Sequence, residues 1–316
     1  MPGPASRVAR VWNVVRKQLP LFFLLLATCS FAPPASPVPP GFAAPFVTGP
    51  GDVLLAGAGD IARCGDGLVN ARRTGDLLRA MPEAAVFAAG DDAYPQGTAE
   101  QFARCYDAAW GSFKSRTYPA PGNHDHGTAN LAGYFGYFGT RAPATHYSVD
   151  LGAWHVVSLD SGEAGAPASF AREAAWLEDD LQKTSSRCVA AFWHHPRFSS
   201  GIHGNHDGAA AVWRVLLRHH ADVVINGHDH DYERFDPQDA DGRPSPDGLR
   251  EFVAGTGGDE LRPFRPTHRA TNAFRDSQHF GVLVFALHPA SYEWAFVATD
   301  GTVLDRSAAA VECHGR

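Results

Sequence analysis

The sequence predicts an α/β fold, a four-layer α/β/β/α sandwich in which two mixed sheets are flanked by helices. Three observations lead there. Short apolar runs rich in Val, Phe or Ala recur along the chain, and five of them end in a polar motif. Helical patterns alternate with the first of these runs. After His230 the helical signals fade, and strand-like runs at Glu251 to Ala254, Gly281 to Leu287 and Tyr292 to Val297 read as a second sheet.

The chain opens with Arg7, Arg10, Arg16 and Lys17 ahead of the apolar stretch Leu19 to Ala27. That stretch is too short to span a bilayer comfortably and reads as a signal-peptide core, so residues 1–29 are expected to direct export. Leu26-Ala27-Thr28-Cys29 offers Cys29 as a lipid-anchor site; the alternative is an ordinary cleaved signal. Residues 30–50 are dense in Pro, Ala and Gly and read as an extended linker. The main domain is expected over 51–305, with a tail over 306–316 that a disulfide would tether. No transmembrane span is expected in the mature chain.

Within the domain, Val53 to Ala58 feeds Gly59-Asp60, and Leu68 to Met81 reads as a helix that Pro82 stops. Ala84 to Ala89 feeds Gly90-Asp91-Asp92-Ala93-Tyr94, Thr98 to Trp110 is helical, and Thr117 to Pro121 feeds Gly122-Asn123-His124-Asp125. His146 to Asp150 and Trp154 to Leu159 are adjoining strands joined by Leu151-Gly152-Ala153. Ser169 to Lys183 is helical, and Cys188 to Trp193 feeds His194-His195-Pro196. Asp207-Gly208 caps a helix over Ala209 to His220, and Asp222 to Asn226 feeds Gly227-His228-Asp229-His230. Asp236 to Gly248 and Leu261 to Ser277 read as solvated loops, the alternative for either being a border of the substrate cleft.

Acidic residues outnumber basic ones, 34 to 27, for a formal charge of -7. The expected leader holds four of the basic residues and no acidic one, so its removal makes the chain more acidic still. That disfavours nucleic-acid binding as a main role. Apart from Cys29 the cysteines are Cys64, Cys105, Cys188 and Cys313, an even number that suggests two disulfides in an exported chain. Of three possible pairings, Cys64 with Cys105 is favoured because both lie just beyond neighbouring strand ends. Cys188 with Cys313 would then tie the tail to a central strand.

In an open α/β sheet the carboxyl ends of neighbouring strands share one crevice, which here would gather Asp, Asn, His and Tyr. Hard or borderline cations prefer these donors. Two cations a few ångströms apart need a bridging carboxylate, whose two oxygens can each face one ion, and Asp91 is central in order.

In this order the five motifs resemble the metallophosphoesterase (calcineurin-like) superfamily, and Gly90-Asp91-Asp92-Ala93-Tyr94 matches its purple acid phosphatase form. The resemblance covers most of Asp52 to Val303. It implies that Asp60, Asp91, Tyr94 and His230 hold one metal and that Asp91, Asn123, His194 and His228 hold the other. His124 would meet substrate and protonate the leaving alkoxide, with Asp125 holding its ring. Iron with Zn, Mn or a second Fe is expected; a Zn or Mn pair follows if Tyr94 packs without binding.

The implied reaction is hydrolysis of phosphomonoesters outside the cytoplasm, a hydroxide shared by the cations attacking phosphorus. The rivals are a phosphodiesterase or nucleotidase using the same site, and a non-catalytic surface binding module. His195 and His203 are candidate contacts to a small phosphate-ester substrate. A second copy of the third motif, Gly204-Asn205-His206-Asp207, is assigned to a helix start with Asp207 as cap, the alternative being that His203 or His206 meets substrate phosphate from the loop after His194. Gly255-Thr256-Gly257-Gly258 reads as a tight turn, or as a place where backbone amides approach phosphate.

Overall fold

The computed structural model describes residues 1, 3, 42–162, 167–266 and 271–315. The chain divides into two units, Met1–Pro33 and Pro34–Arg316, and every element named below belongs to the second. Cys29, the rest of the expected leader apart from residues 1 and 3, and most of the expected linker lie outside the described residues. Among the described residues no helix is long and apolar enough to cross a membrane.

Five strands open the fold: β1 (Val53–Ala58), β2 (Ala62–Arg63), β3 (Ala85–Ala89), β4 (Ala93–Tyr94) and β5 (Thr117–Ala120). Strands β1, β3 and β5 pair in parallel, and β2 and β4 form a small parallel ribbon beyond their ends. The middle of the chain builds a second sheet by itself from β6 (Tyr147–Leu151), β7 (Trp154–Ser158), β8 (Cys188–Phe192), β9 (Val223–Asn226), β10 (Tyr232–Phe235), β11 (Arg250–Ala254) and β12 (Asn272–Asp276). Its order is β12-β10-β11-β9-β8-β7-β6. The chain then returns to the first sheet with β13 (Gly281–Leu287), β14 (Ser291–Ala298), β15 (Val303–Arg306) and β16 (Val311–Glu312).

This corrects one expectation. The run Glu251 to Ala254 does join the second sheet, as β11, but β13 and β14 do not; β13 lies antiparallel to β1. Parallel partners need long crossovers, whereas β13 can complete the first sheet from the other side of β1 once the second sheet has been built.

Among the described residues the α-helices are α1 (Gly67–Arg79), α2 (Ala99–Gln101), α3 (Asp107–Trp110), α4 (Ala132–Phe138), α5 (Pro167–Leu181) and α6 (Ala210–Arg218). A widened π-turn over Phe102–Tyr106 joins α2 to α3, and Thr98 caps α2 through a reciprocal pair with Gln101. Asp207 does not cap α6: it begins a 3₁₀ turn at Asp207–Ala209, and its carboxylate takes the Arg197 guanidinium at 2.6 Å.

Period-2 alternation divides the strand residues among three apolar layers. Val86, Ala88, Val282 and Val284 pack outward with Leu77, Leu78, Phe102 and Trp110. Phe87, Phe285 and Phe296 face Phe192, Ile225 and Phe252 between the two sheets. Val189, Ala191 and Val224 pack with Phe170, Leu177, Trp213 and Leu216 on the far side. Helix, sheet, sheet and helix follow in that order. Disulfides join Cys64 to Cys105 and Cys188 to Cys313, with Cα separations of 5.0 and 5.5 Å.

Candidate metal centre

The site is built where β1, β3 and β5 of one sheet end beside β8 and β9 of the other. The loops after β1 and β3 run in step: Asp60 N–H donates to Gly90 C=O at 3.0 Å and Ile61 N–H to Asp91 C=O at 2.9 Å, before they merge into the β2–β4 ribbon. Asp60, Asp91 and His228 all have positive φ, at 58°, 54° and 72°. Non-glycine residues seldom adopt this left-handed conformation, and its use at three strand ends turns each side chain out of its sheet. Gly122 is needed for close approach: a Cβ there would stand 2.1 Å from Asp91 Oδ1.

The side chains converge. Tyr94 Oη lies 2.8 Å from Asp60 Oδ1, 3.1 Å from Asp91 Oδ2 and 3.3 Å from His230 Nε2. His230 Nε2 is 3.2 Å from Asp60 Oδ1. On the other side of Asp91, His194 Nε2 stands 3.2 Å from Oδ2 and 3.3 Å from His228 Nδ1. Asn123 Oδ1 is buried with no hydrogen-bond partner. Ligand atoms about 2.1 Å from one cation stand roughly 3.0–3.4 Å from their neighbours, so these spacings suit two coordination spheres that meet at Asp91. Asp91 serves them differently from expectation. Its Oδ1 accepts the His124 N–H at 2.8 Å, leaving Oδ2 alone to face both groups.

In His194, His230 and Asp60 the atom that does not face the centre is tied elsewhere. His194 Nδ1 meets the Ala89 carbonyl at 2.9 Å, His230 Nδ1 the Glu260 carbonyl at 3.2 Å, and Asp60 Oδ2 the His228 N–H at 2.8 Å. Such partners fix ring orientation and tautomer for metal binding.

Burial disfavours charge on His194, yet Asp91 and Asp60 prevail and push it up to about 9. Burial likewise opposes the Asp91 charge, but His194 and His124 draw this carboxyl below its usual range. Tyr94 is held well above the usual phenol value by burial and then by Asp60 and Asp91. His228 is driven far down by burial and then by His194 and His195. A buried pocket with this mixture of carboxylate, phenol and imidazole donors suits hard or borderline cations.

The profile of the calcineurin-like phosphoesterases matches residues 54–232. The chain belongs to that family. It is a metal-dependent phosphoric ester hydrolase of the calcineurin-like type. No curated protein matches by sequence. Its fold is shared with a purple acid phosphatase from yellow lupin (Lupinus luteus) seeds at 18% identity and a TM-score of 0.62; the match covers 81% of this chain and 53% of the lupin chain, so about half of that longer protein. GAP50, described as the anchor in the inner membrane complex of Plasmodium, is similar at 15% identity and a TM-score of 0.65, covering 83% of this chain and 89% of that one. A dimetal phosphatase from Danio rerio is similar at 12% identity and a TM-score of 0.55, with coverage of 83% and 99%.

Around the calcineurin-like centre stand the other expected residues. His124 Nε2 lies 3.8 Å from Asp91 Oδ2, and its Nδ1 meets the Pro95 carbonyl at 2.7 Å. Pro95, rather than Asp125, therefore orients the His124 ring. Asp125 ties its own loop to the one after β3, accepting the N–H of Gly122, Asp92 and Ala93; burial and then Asp91 push its carboxyl up to about 7. His195 Nδ1 pairs with Ser161 Oγ at 2.7 Å, and His203 Nε2 with the Arg262 guanidinium at 2.5 Å.

The second Asn-His-Asp copy is read from sequence as a helix start, with contact of His206 to substrate phosphate as the alternative. Its ring centroid lies 4.5 Å from that of His195 and 4.9 Å from that of His228, with Nε2 buried and unpartnered. His206 thus faces the centre. Asp229 holds this loop by accepting the N–H of His203 and Gly204 at 2.8 and 3.1 Å. The glycine run after β11 serves packing: Gly257 N–H donates to the Gly59 carbonyl at 2.9 Å, and a Cβ on Gly257 would stand 2.5 Å from that oxygen.

Proposed function

We propose that the protein is an exported phosphatase that hydrolyses small phosphomonoesters with two cations, Asp60, Asp91, Tyr94 and His230 holding one and Asp91, Asn123, His194 and His228 the other. The observation that carries this reading is the sharing of Asp91 Oδ2 between two groups of donors, with the unpartnered Asn123 Oδ1 beside them. Bound cations would supply a nucleophilic water near neutral pH and offset charge on the phosphoryl oxygens.

The chain's own residues then bind and move protons. Because His124 Nδ1–H is held by the Pro95 carbonyl, Nε2 is the atom that carries a proton to the departing ester oxygen. His195, His203 and His206 border the same space and would meet the non-bridging phosphate oxygens. Ser161 and Arg262 occupy one nitrogen of His195 and His203, leaving the other for substrate. Tyr94 as a phenolate ligand favours iron in the first position, with Zn, Mn or Fe in the second. Two disulfides support an oxidising location outside the cytoplasm.

Assay of the metal-loaded protein with p-nitrophenyl phosphate and its bis ester tests the substrate class. A monoester preference is expected; a marked diester preference overturns it in favour of the phosphodiesterase reading. No turnover of either ester with Fe, Zn or Mn overturns the hydrolytic role.

A further inference from the structure

We propose that Arg63 is a positioning residue for the metal centre: its guanidinium lies against the face of Tyr94, fixing the ring and tuning the donor strength of its oxygen. The inference rests on the reading of Tyr94 as a ligand.

Three contacts carry it. In the parallel ribbon Arg63 pairs in register with Tyr94, so the two side chains share one face. Arg63 Cζ sits 4.7 Å from the Tyr94 ring centroid, within cation–π range. The guanidinium is then gripped from the other side by the buried carboxylate of Asp259, with Nε on Oδ1 and Nη2 on Oδ2 at 2.9 Å. A planar fork held by both carboxylate oxygens cannot swing away as a lysine ammonium can.

Asp259 is itself tied to the centre. Its N–H donates to the Asp60 carbonyl at 3.0 Å, and its Oδ2 stands 3.9 Å from His230 Nδ1. One short chain, Tyr94–Arg63–Asp259, thus spans two residues proposed for the first cation and the backbone of a third. A cation on the ring face stabilises negative charge in the phenolate π system. It therefore lowers the donor level from which a charge-transfer band to iron would arise.

Arg63 is 42% exposed, so its replacement leaves little buried void. The test is the visible spectrum of the iron-loaded full-length protein with kcat and KM. Arg63→Gln is expected to move the tyrosinate band to longer wavelength and lower kcat about 3- to 10-fold, with KM held, the size a partly exposed cation–π contact allows. Arg63→Lys should fall between. Arg63→Met serves if Arg63→Gln does not fold, and failure of both to fold would overturn the proposal by making Arg63 a folding residue. A band present in the parent but unmoved by the substitutions overturns the proposal and leaves the centre intact. An iron-loaded parent without the band overturns Tyr94 as ligand and this inference with it.

Discussion

At the scale of single residues, the centre works by division of labour within each side chain. His194 spends Nδ1 on the Ala89 carbonyl and Asp91 spends Oδ1 on the His124 N–H, so one atom of each remains for a cation. Asn123 has no such tie on its oxygen. Asn123→Ala is therefore expected to lose one cation equivalent and at least about 10²-fold in kcat/KM, more than loss of an outer supporting group typically costs. Metal analysis decides it: an unchanged metal count would remove Asn123 from the ligand set. His124→Asn should behave differently, keeping both cations while kcat drops about 10²- to 10⁴-fold, the usual range for a general acid. Metal loss in that variant would make His124 a ligand instead. The seven proposed ligands were legible because each follows an apolar run at a strand end. His206 was legible only as the alternative to a helix start, because its position depends on a loop folded by Asp229 and Glu233, residues with no periodic signal.

At the scale of elements, β6, β7 and α5 are joined through one imidazole. His155 on β7 meets Asp150 Oδ1 with Nδ1 and Asp180 Oδ2 with Nε2, both at 2.8 Å. Burial disfavours its charge, but Asp180 and then Asp150 prevail and raise it above the ordinary imidazole value. A group raised in the folded state stabilises fully below its unfolded value, roughly 6.5, and loses that contribution as pH rises through the folded value. The parent should therefore exceed His155→Leu by about 1.5–3 kcal/mol at pH 5.5, the range for charge-assisted hydrogen bonds, and by less at pH 8.5. Denaturant titrations at the two pH values check this; an advantage that stays level or grows would show an uncharged His155. The strands that sequence pattern revealed, such as β1, β3 and β13, are buried along nearly their whole length. Strand β12 escaped because only its first residue is buried, and α4 because its sequence AGYFGYF lacks the usual helix formers.

At the scale of the whole molecule, a two-sheet sandwich with outer helices could be read from the order of apolar runs, but the sheet to which each run belongs could not. Strands β11 and β13 are alike in pattern, and only the return of the chain beside β1 separates them. The Cys188–Cys313 disulfide has a particular place in this arrangement. Cys188 begins β8 in the second sheet, while Cys313 follows β16, which pairs with β14 in the first. The bond therefore staples the two sheets across their shared apolar layer and closes a sequence separation of 125 residues. Removing it with Cys188→Ala and Cys313→Ala together is expected to cost about 2–5 kcal/mol of stability, since a long closed loop restricts the unfolded chain most. The centre should not feel it, because His194 lies six residues further on, roughly 20 Å along an extended strand. Cys64–Cys105 closes a separation of only 41 residues, but Cys64 is the neighbour of Arg63, so its removal should lower kcat as well as the melting temperature. Thermal melts and kcat of the two double variants separate these roles. If both pairs lower kcat to the same degree, the Cys188–Cys313 bond is shaping the site as well as joining the sheets.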